Sequence, residues 1–159
     1  MRRLRSGRLQ QVLPARSESQ GAYHRMESVG VILGVGIDEV EVERMARGLR
    51  KESGLKERLF TPDEIRYCEG QRHAAMHFAA RFAAKEAFGK ALGTGISGGM
   101  TFREIEVVRD ADGRPGLRLH DCARRGAEER GVGRIHASLT HTRSRAAAVV
   151  ILETGEGSG

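Results

Sequence analysis

Two carboxylates occupy positions from which they could share a cation. Asp38 follows the apolar run VGVILGVGI, and Glu86 lies in RFAAKEAFGKALGTG, a stretch rich in alanine, glycine and phenylalanine. Brought together, they would offer hard oxygen ligands to a divalent ion such as magnesium. That ion keeps several waters and completes its shell with substrate phosphate. The same spacing also suits a plain i, i+4 pairing of Glu86 with Lys90, a weak contact. Arg81 and Lys85 lie one turn apart, as do Glu86 and Lys90. Three cations around one carboxylate suit phosphate oxygens bridged by a metal. Gly89-Lys90 is not part of a nucleotide-binding P-loop. Ala84 stands where that motif needs glycine, and Ala91 where it needs serine or threonine.

Further candidates are weaker. His141, in SLTHT and followed by Arg143 and Arg145, could donate to a phosphate, act as a base or merely furnish a turn. His73 and His77 have helix-face metal spacing but no third ligand nearby, and read as ordinary helix residues. Arg44, Arg47 and Lys51 repeat along one helix face. They form either a solvated stripe or a docking surface for an acidic partner helix.

The elements that must hold these residues follow from periodicity. Val29, Val31, Leu33, Val35 and Ile37 alternate mainly with glycines, which predicts a strand ending at Asp38. Its glycines would let another segment approach closely. Residues 41–51 have helical spacing, with Val42, Met45 and Leu49 facing inward. Thr61-Pro62-Asp63-Glu64 carries an N-cap, a first-turn proline and a capping-box glutamate, and so opens another helix. The longest helix is expected over residues 73–92, broken by Gly93-Thr94-Gly95. Strands over 105–109 and 117–120 flank an Asp-Ala-Asp-Gly turn. A helix over 121–130 follows, and strands over 134–140 and 146–153 close the chain. Helices and strands mix without a regular βαβ alternation, so the class is α+β.

Composition narrows the function classes. At 159 residues the chain suits one domain that needs no disulfide or structural metal. The two cysteines, Cys68 and Cys122, are far apart and fit free thiols in a reducing compartment. No apolar run is long enough to cross a bilayer, so no membrane association is expected. The formal charge of +6 points towards nucleic acid, but residues 1–28 account for most of it. We expect that segment to be a disordered Arg-rich extension, or the product of a start assigned too far upstream. Residues 29–154 then form the domain and 155–159 a flexible tail. Arginine outnumbers lysine 23 to 4, as in a GC-rich bacterial genome. Aromatics are too scarce for a base-stacking platform, with five Phe, two Tyr and no Trp.

Three segments together resemble the holo-(acyl-carrier-protein) synthases, the small type of 4'-phosphopantetheinyl transferase. They are GVGIDEVEVERM at 34–45, RFAAKEAFGKALGTGI at 81–96 and SLTHTRSRAAAVVILE at 138–153. LFTPDEI and FREIEVVRDADGRP, between them, are similar to the family's linking segments. The resemblance implies a single α+β domain with a mainly antiparallel sheet. It also implies transfer of 4'-phosphopantetheine from coenzyme A to a serine of apo-acyl carrier protein, in a bacterial cytoplasm and without nucleic acid. Asp38 and Glu86 match the magnesium ligands, Lys90 the lysine on the coenzyme A pyrophosphate, and Arg81 and His141 phosphate-binding positions. Asp38, Glu86 and Lys90 would thus carry catalysis. Arg44, with Arg47 and Lys51 on its helix, matches the carrier-docking surface. A homotrimer with sites between subunits is implied. Arg145 departs from the pattern, since an aromatic residue often stands there, and the Arg-rich extension has no counterpart. A basic nucleic-acid-binding protein and a non-catalytic carrier-binding module are the alternatives.

Overall fold

Alternation of apolar residues with glycine produces the first strand, β1 (Ile32–Glu41). It runs past the predicted end at Asp38 because Val40 and Glu41 still pair with a neighbouring strand. The computed structural model describes residues 30–155. The Arg-rich extension, Val29 and residues 156–159 of the expected tail lie outside the described residues.

Helix α1 (Val42–Lys51) buries Val42 and Met45 and half-buries Leu49, the predicted face, and leaves Arg44, Arg47 and Lys51 exposed. Helix α2 (Leu55–Leu59) is only five residues long and leaves no readable period. Helix α3 (Pro62–Glu69) opens with the predicted capping box. The Thr61 hydroxyl accepts from the Glu64 N–H, and the Glu64 carboxylate accepts from the Thr61 N–H. Helix α4 (Ala74–Leu92) stops at Gly93, whose φ of 81° is left-handed and frees its N–H for the Gly89 and Lys90 carbonyls.

A 3-10 turn (Phe102–Glu104) leads into β2 (Ile105–Arg109) and β3 (Pro115–Leu119), an antiparallel pair. Helix α5 (Asp121–Glu129), β4 (Val132–His141) and β5 (Arg145–Thr154) complete the order. Strands β1, β5 and β4 form a separate antiparallel sheet with β5 in the middle. The predicted α+β class with antiparallel pairing is what the chain adopts, divided between two sheets.

Helix α4 packs on the three-stranded sheet and defines the core, where Ala83, Ala87, Phe88 and Leu92 meet Val150 and Leu152. The glycines of β1 face this helix. A β-carbon on Gly36 would lie 1.9 Å from the Ala87 carbonyl oxygen, and one on Gly34 would lie 2.0 Å from that of Ala91. Strand and helix therefore touch backbone to backbone. The apolar face of the same strand points outward, with Val35 58% and Ile37 67% exposed. Cys68 and Cys122 are free thiols, and burial pushes Cys68 up to about 11, which keeps it protonated and unreactive. No helix among the described residues is long and apolar enough to cross a membrane.

Candidate active site

Close contact between β1 and α4 carries Asp38 to Glu86. Both line one cavity of about 600 Å³, whose wall also includes Arg44, Leu59, Phe82 and Arg145. Lys90, one turn beyond Glu86, bonds to Asp38 and not to Glu86. Its ammonium donates to Asp38 Oδ1 at 2.7 Å and to the Ile37 carbonyl at 3.0 Å. The hydrogen bond to Asp38 leads the causes that hold Lys90 above the usual lysine range.

Glu86 sits in a strained electrostatic position. Burial, followed by the charge of Asp38, pushes its carboxyl above the usual carboxylate range, and Lys90 offsets only part of this. A raised carboxylate pKa favours the folded state at low pH and costs stability once the folded protein must ionise. Glu86→Gln is therefore expected to melt higher than the parent in EDTA at about pH 8. The gap should close towards about pH 4, where both Glu86 states are protonated. Thermal melts across that range check it, and a gap independent of pH would count against the assignment.

The donor set fits a hard, oxygen-seeking divalent cation. Two carboxylates share the cavity, and the repulsion between them is what such an ion would relieve. Among the described residues no group of three or more His, Cys, Asp or Glu is placed to hold a metal ion by itself. The remaining ligands would then be water and substrate phosphate, the habit of magnesium.

Spacing grouped Arg81, Lys85 and Lys90 about Glu86, and the helix separates them. Only Lys90 stays with the carboxylates. The Lys85 ammonium turns into the interior, fully buried, and bonds Glu64 at 2.7 Å. Arg81 is buried on another flank, its guanidinium 4.0 Å from the centre of the Tyr67 ring, with Nε lacking a partner. Arg109 approaches the same ring at 5.3 Å. His141 stands edge-on to His77 at 5.0 Å, and His77 in turn meets Tyr67. Burial first, then the charges of His141, Arg81, Arg109 and His73, lowers the His77 pKa. Neither Arg81 nor His141 lines the carboxylate cavity. The site residues thus form two groups, an acidic one at Asp38 and Glu86 and a basic one at Arg81 and His141.

Three members of these surroundings escaped the sequence. Tyr67 and Arg109 join Arg81 only through tertiary contact, which no local spacing announces. His77 stands one turn before Arg81, a signal that was present but pointed to nothing without His141. Arg145, the departure from the family pattern, pairs its guanidinium with Glu39 at 2.8 Å on the cavity rim.

The chain is similar to proteins of known family and fold. The family model described as the 4'-phosphopantetheinyl transferase superfamily matches residues 34–150. A holo-(acyl-carrier-protein) synthase of Syntrophus aciditrophicus is 46% identical over 124 residues, covering 77% of this chain and 97% of that protein. The crystal structure of the Neisseria meningitidis holo-(acyl-carrier-protein) synthase superposes with a TM-score of 0.72 at 34% identity. It covers 78% of this chain and all of that one. The Helicobacter pylori synthase in complex with coenzyme A gives a TM-score of 0.65 at 28% identity, over 74% of this chain and 98% of that one. This chain belongs to the 4'-phosphopantetheinyl transferase superfamily, among the holo-(acyl-carrier-protein) synthases.

Proposed function

We propose that the chain transfers 4'-phosphopantetheine from coenzyme A to a serine of apo-acyl carrier protein at the cavity shared by Asp38 and Glu86. The observation that carries this reading is the convergence of those carboxylates, with Lys90 bound to one of them. The serine oxygen forms a bond to the β-phosphorus while the bond from that phosphorus to the bridging oxygen breaks. Adenosine 3',5'-bisphosphate leaves. Such chemistry asks the protein for positioning and charge balance rather than covalent help.

Asp38 and Glu86 would hold magnesium, which when bound neutralises charge on the pyrophosphate oxygens. Lys90 keeps Asp38 oriented and places an ammonium beside the leaving side. Glu86, a carboxylate of the same cavity, is the group of this chain placed to take the serine proton. Arg81, with its unpartnered buried Nε, and His141 suit a more remote phosphate of coenzyme A. Arg44, Arg47 and Lys51 form the exposed cationic face of α1 for the carrier.

Two features favour a homotrimer with sites between subunits. The basic group does not line the cavity of the acidic group, so a second copy could supply it. The outward face of β1 is apolar, as a surface covered by another subunit would be. Val35→Glu is expected to convert the trimer to monomers in light scattering and to lower transfer at least tenfold, roughly the loss from removing several phosphate contacts. A trimer of undiminished activity would exclude β1 as the interface.

The activity is tested by the intact mass of apo-acyl carrier protein after incubation with the chain, coenzyme A and magnesium. The expected result is a gain of one phosphopantetheine that EDTA abolishes. No gain across several carriers would overturn the reading.

A further inference from the structure

The most completely buried charges in the described chain lie beside the carboxylate cavity but not in it. Lys85 is 0% exposed and Glu64 1%. The Lys85 ammonium donates to three oxygens: Glu64 Oε2 at 2.7 Å, the Leu59 carbonyl at 2.9 Å and the Phe102 carbonyl at 3.0 Å. Glu64 also accepts from the Thr61 N–H and from the Val107 N–H, both at 2.9 Å. One ion pair thus joins the end of α2, the start of α3, the middle of α4, the 3-10 turn and β2.

Stability alone does not account for such a pair. Removing two charges from water costs so much that well-packed apolar replacements are often as stable or more so. What the pair supplies is geometry. Lys85 directly precedes Glu86, so fixing its ammonium from three sides fixes the rotation of α4 about its axis. Two of its acceptors belong to the cavity wall or its backing. Leu59 lines the cavity. Phe102 stacks on Phe82, another wall residue one turn before Glu86, with ring centres 5.1 Å apart. On the opposite side, Gly36 and Gly34 press on Ala87 and Ala91. The helix segment bearing Glu86 is held from both sides.

We infer that Lys85 and Glu64 are positioning residues that set Glu86 opposite Asp38 and hold the Leu59 and Phe82 walls of the cavity. The inference rests on the reading of Asp38 and Glu86 as a divalent-cation site. Neither Lys85 nor Glu64 touches the reacting atoms.

The test uses the neutral pair K85M/E64Q, because K85M alone would strand a buried carboxylate and unfold the chain. Mn2+ serves as the probe, and its binding is read from loss of the free-ion EPR signal in the presence of coenzyme A. In the double variant the Kd for Mn2+ should rise about tenfold or more, as when support for a metal ligand is lost. kcat should fall in parallel, with the KM for coenzyme A changed less than about twofold. A double variant with parental Mn2+ affinity and kcat would show that the pair only stabilises the fold, and would overturn the inference. Should the double variant not fold, E64D carries the test, since it keeps both charges and only shortens the reach of the carboxylate to Lys85. It is expected to weaken Mn2+ binding about threefold, a partial form of the same loss. Unchanged affinity in folded E64D overturns the inference equally. Parent protein that neither binds Mn2+ nor transfers the arm would refute the cation-site reading instead, so the two failures remain distinct.

Discussion

Asp38→Ala is expected to lower kcat/KM for transfer by about a thousandfold while leaving the fold and carrier binding intact. The size follows from losing one of two protein ligands to a cation whose charge stabilises the transition state, an effect of order 10²–10³ for a single preorganised electrostatic group. The fold should survive because the Asp38–Lys90 pair is half open on the lysine side, at 52% exposure, and such pairs contribute little to stability. Lys90 would keep its bond to the Ile37 carbonyl. Carrier binding should persist because the cationic face of α1 does not include Asp38. Stopped-assay mass spectrometry gives the rate, and titration of labelled carrier protein gives the affinity. A loss below about tenfold would mean that Asp38 does not hold the essential cation. Loss of turnover with carrier affinity retained would set the chain apart from a non-catalytic binding module.

The sequence showed what is local and periodic, and missed what depends on contact between elements. The alternation before Asp38, the Thr61–Glu64 capping box and the glycine stop at Gly93 each rest on a few neighbouring residues, and all three appear in the structure. The glycines of β1 implied a close neighbour without identifying α4. Helix α2 has too few residues for a period. Periodicity also placed Arg81, Lys85, Glu86 and Lys90 on a single helix without saying which faces were covered. A charge run is usually solvated, yet here Lys85 is sealed in the interior because Glu64, twenty-one residues earlier, meets it there. Glu64 itself was legible as a capping residue, and nothing in that role disclosed its second partner. The outward turn of the Val35 and Ile37 face had the same cause. Alternation assigns two faces to a strand, and the glycine face won the helix because only it allows so close an approach.

Gly36→Ala should be the most damaging substitution of a single small residue in the fold. The added β-carbon would fall 1.9 Å from the Ala87 carbonyl oxygen and 2.6 Å from the Ala91 nitrogen. Both are backbone atoms of α4, which no change of rotamer can move aside. β1 would have to lift away from the helix, opening a gap along Gly34 and loosening its pairing with β5, where Gly36 lies opposite Val150. Overpacking of a close contact costs about 1–3 kcal/mol where side chains can shift, and a clash with fixed backbone belongs at or above the top of that range. For a domain of this size a loss of about 3 kcal/mol corresponds to a fall in Tm of roughly 10 °C. The same displacement carries Asp38, two residues on, away from Glu86, so any protein that remains folded should also bind divalent cation poorly. Thermal unfolding with and without magnesium separates the two effects. The parent should gain stability from the ion, whereas the variant should melt low and gain almost nothing, since a ligand stabilises a fold only through its affinity for the folded state. A variant that melts with the parent would mean that β1 and α4 have room between them, and that the glycines are not what brings the two carboxylates together.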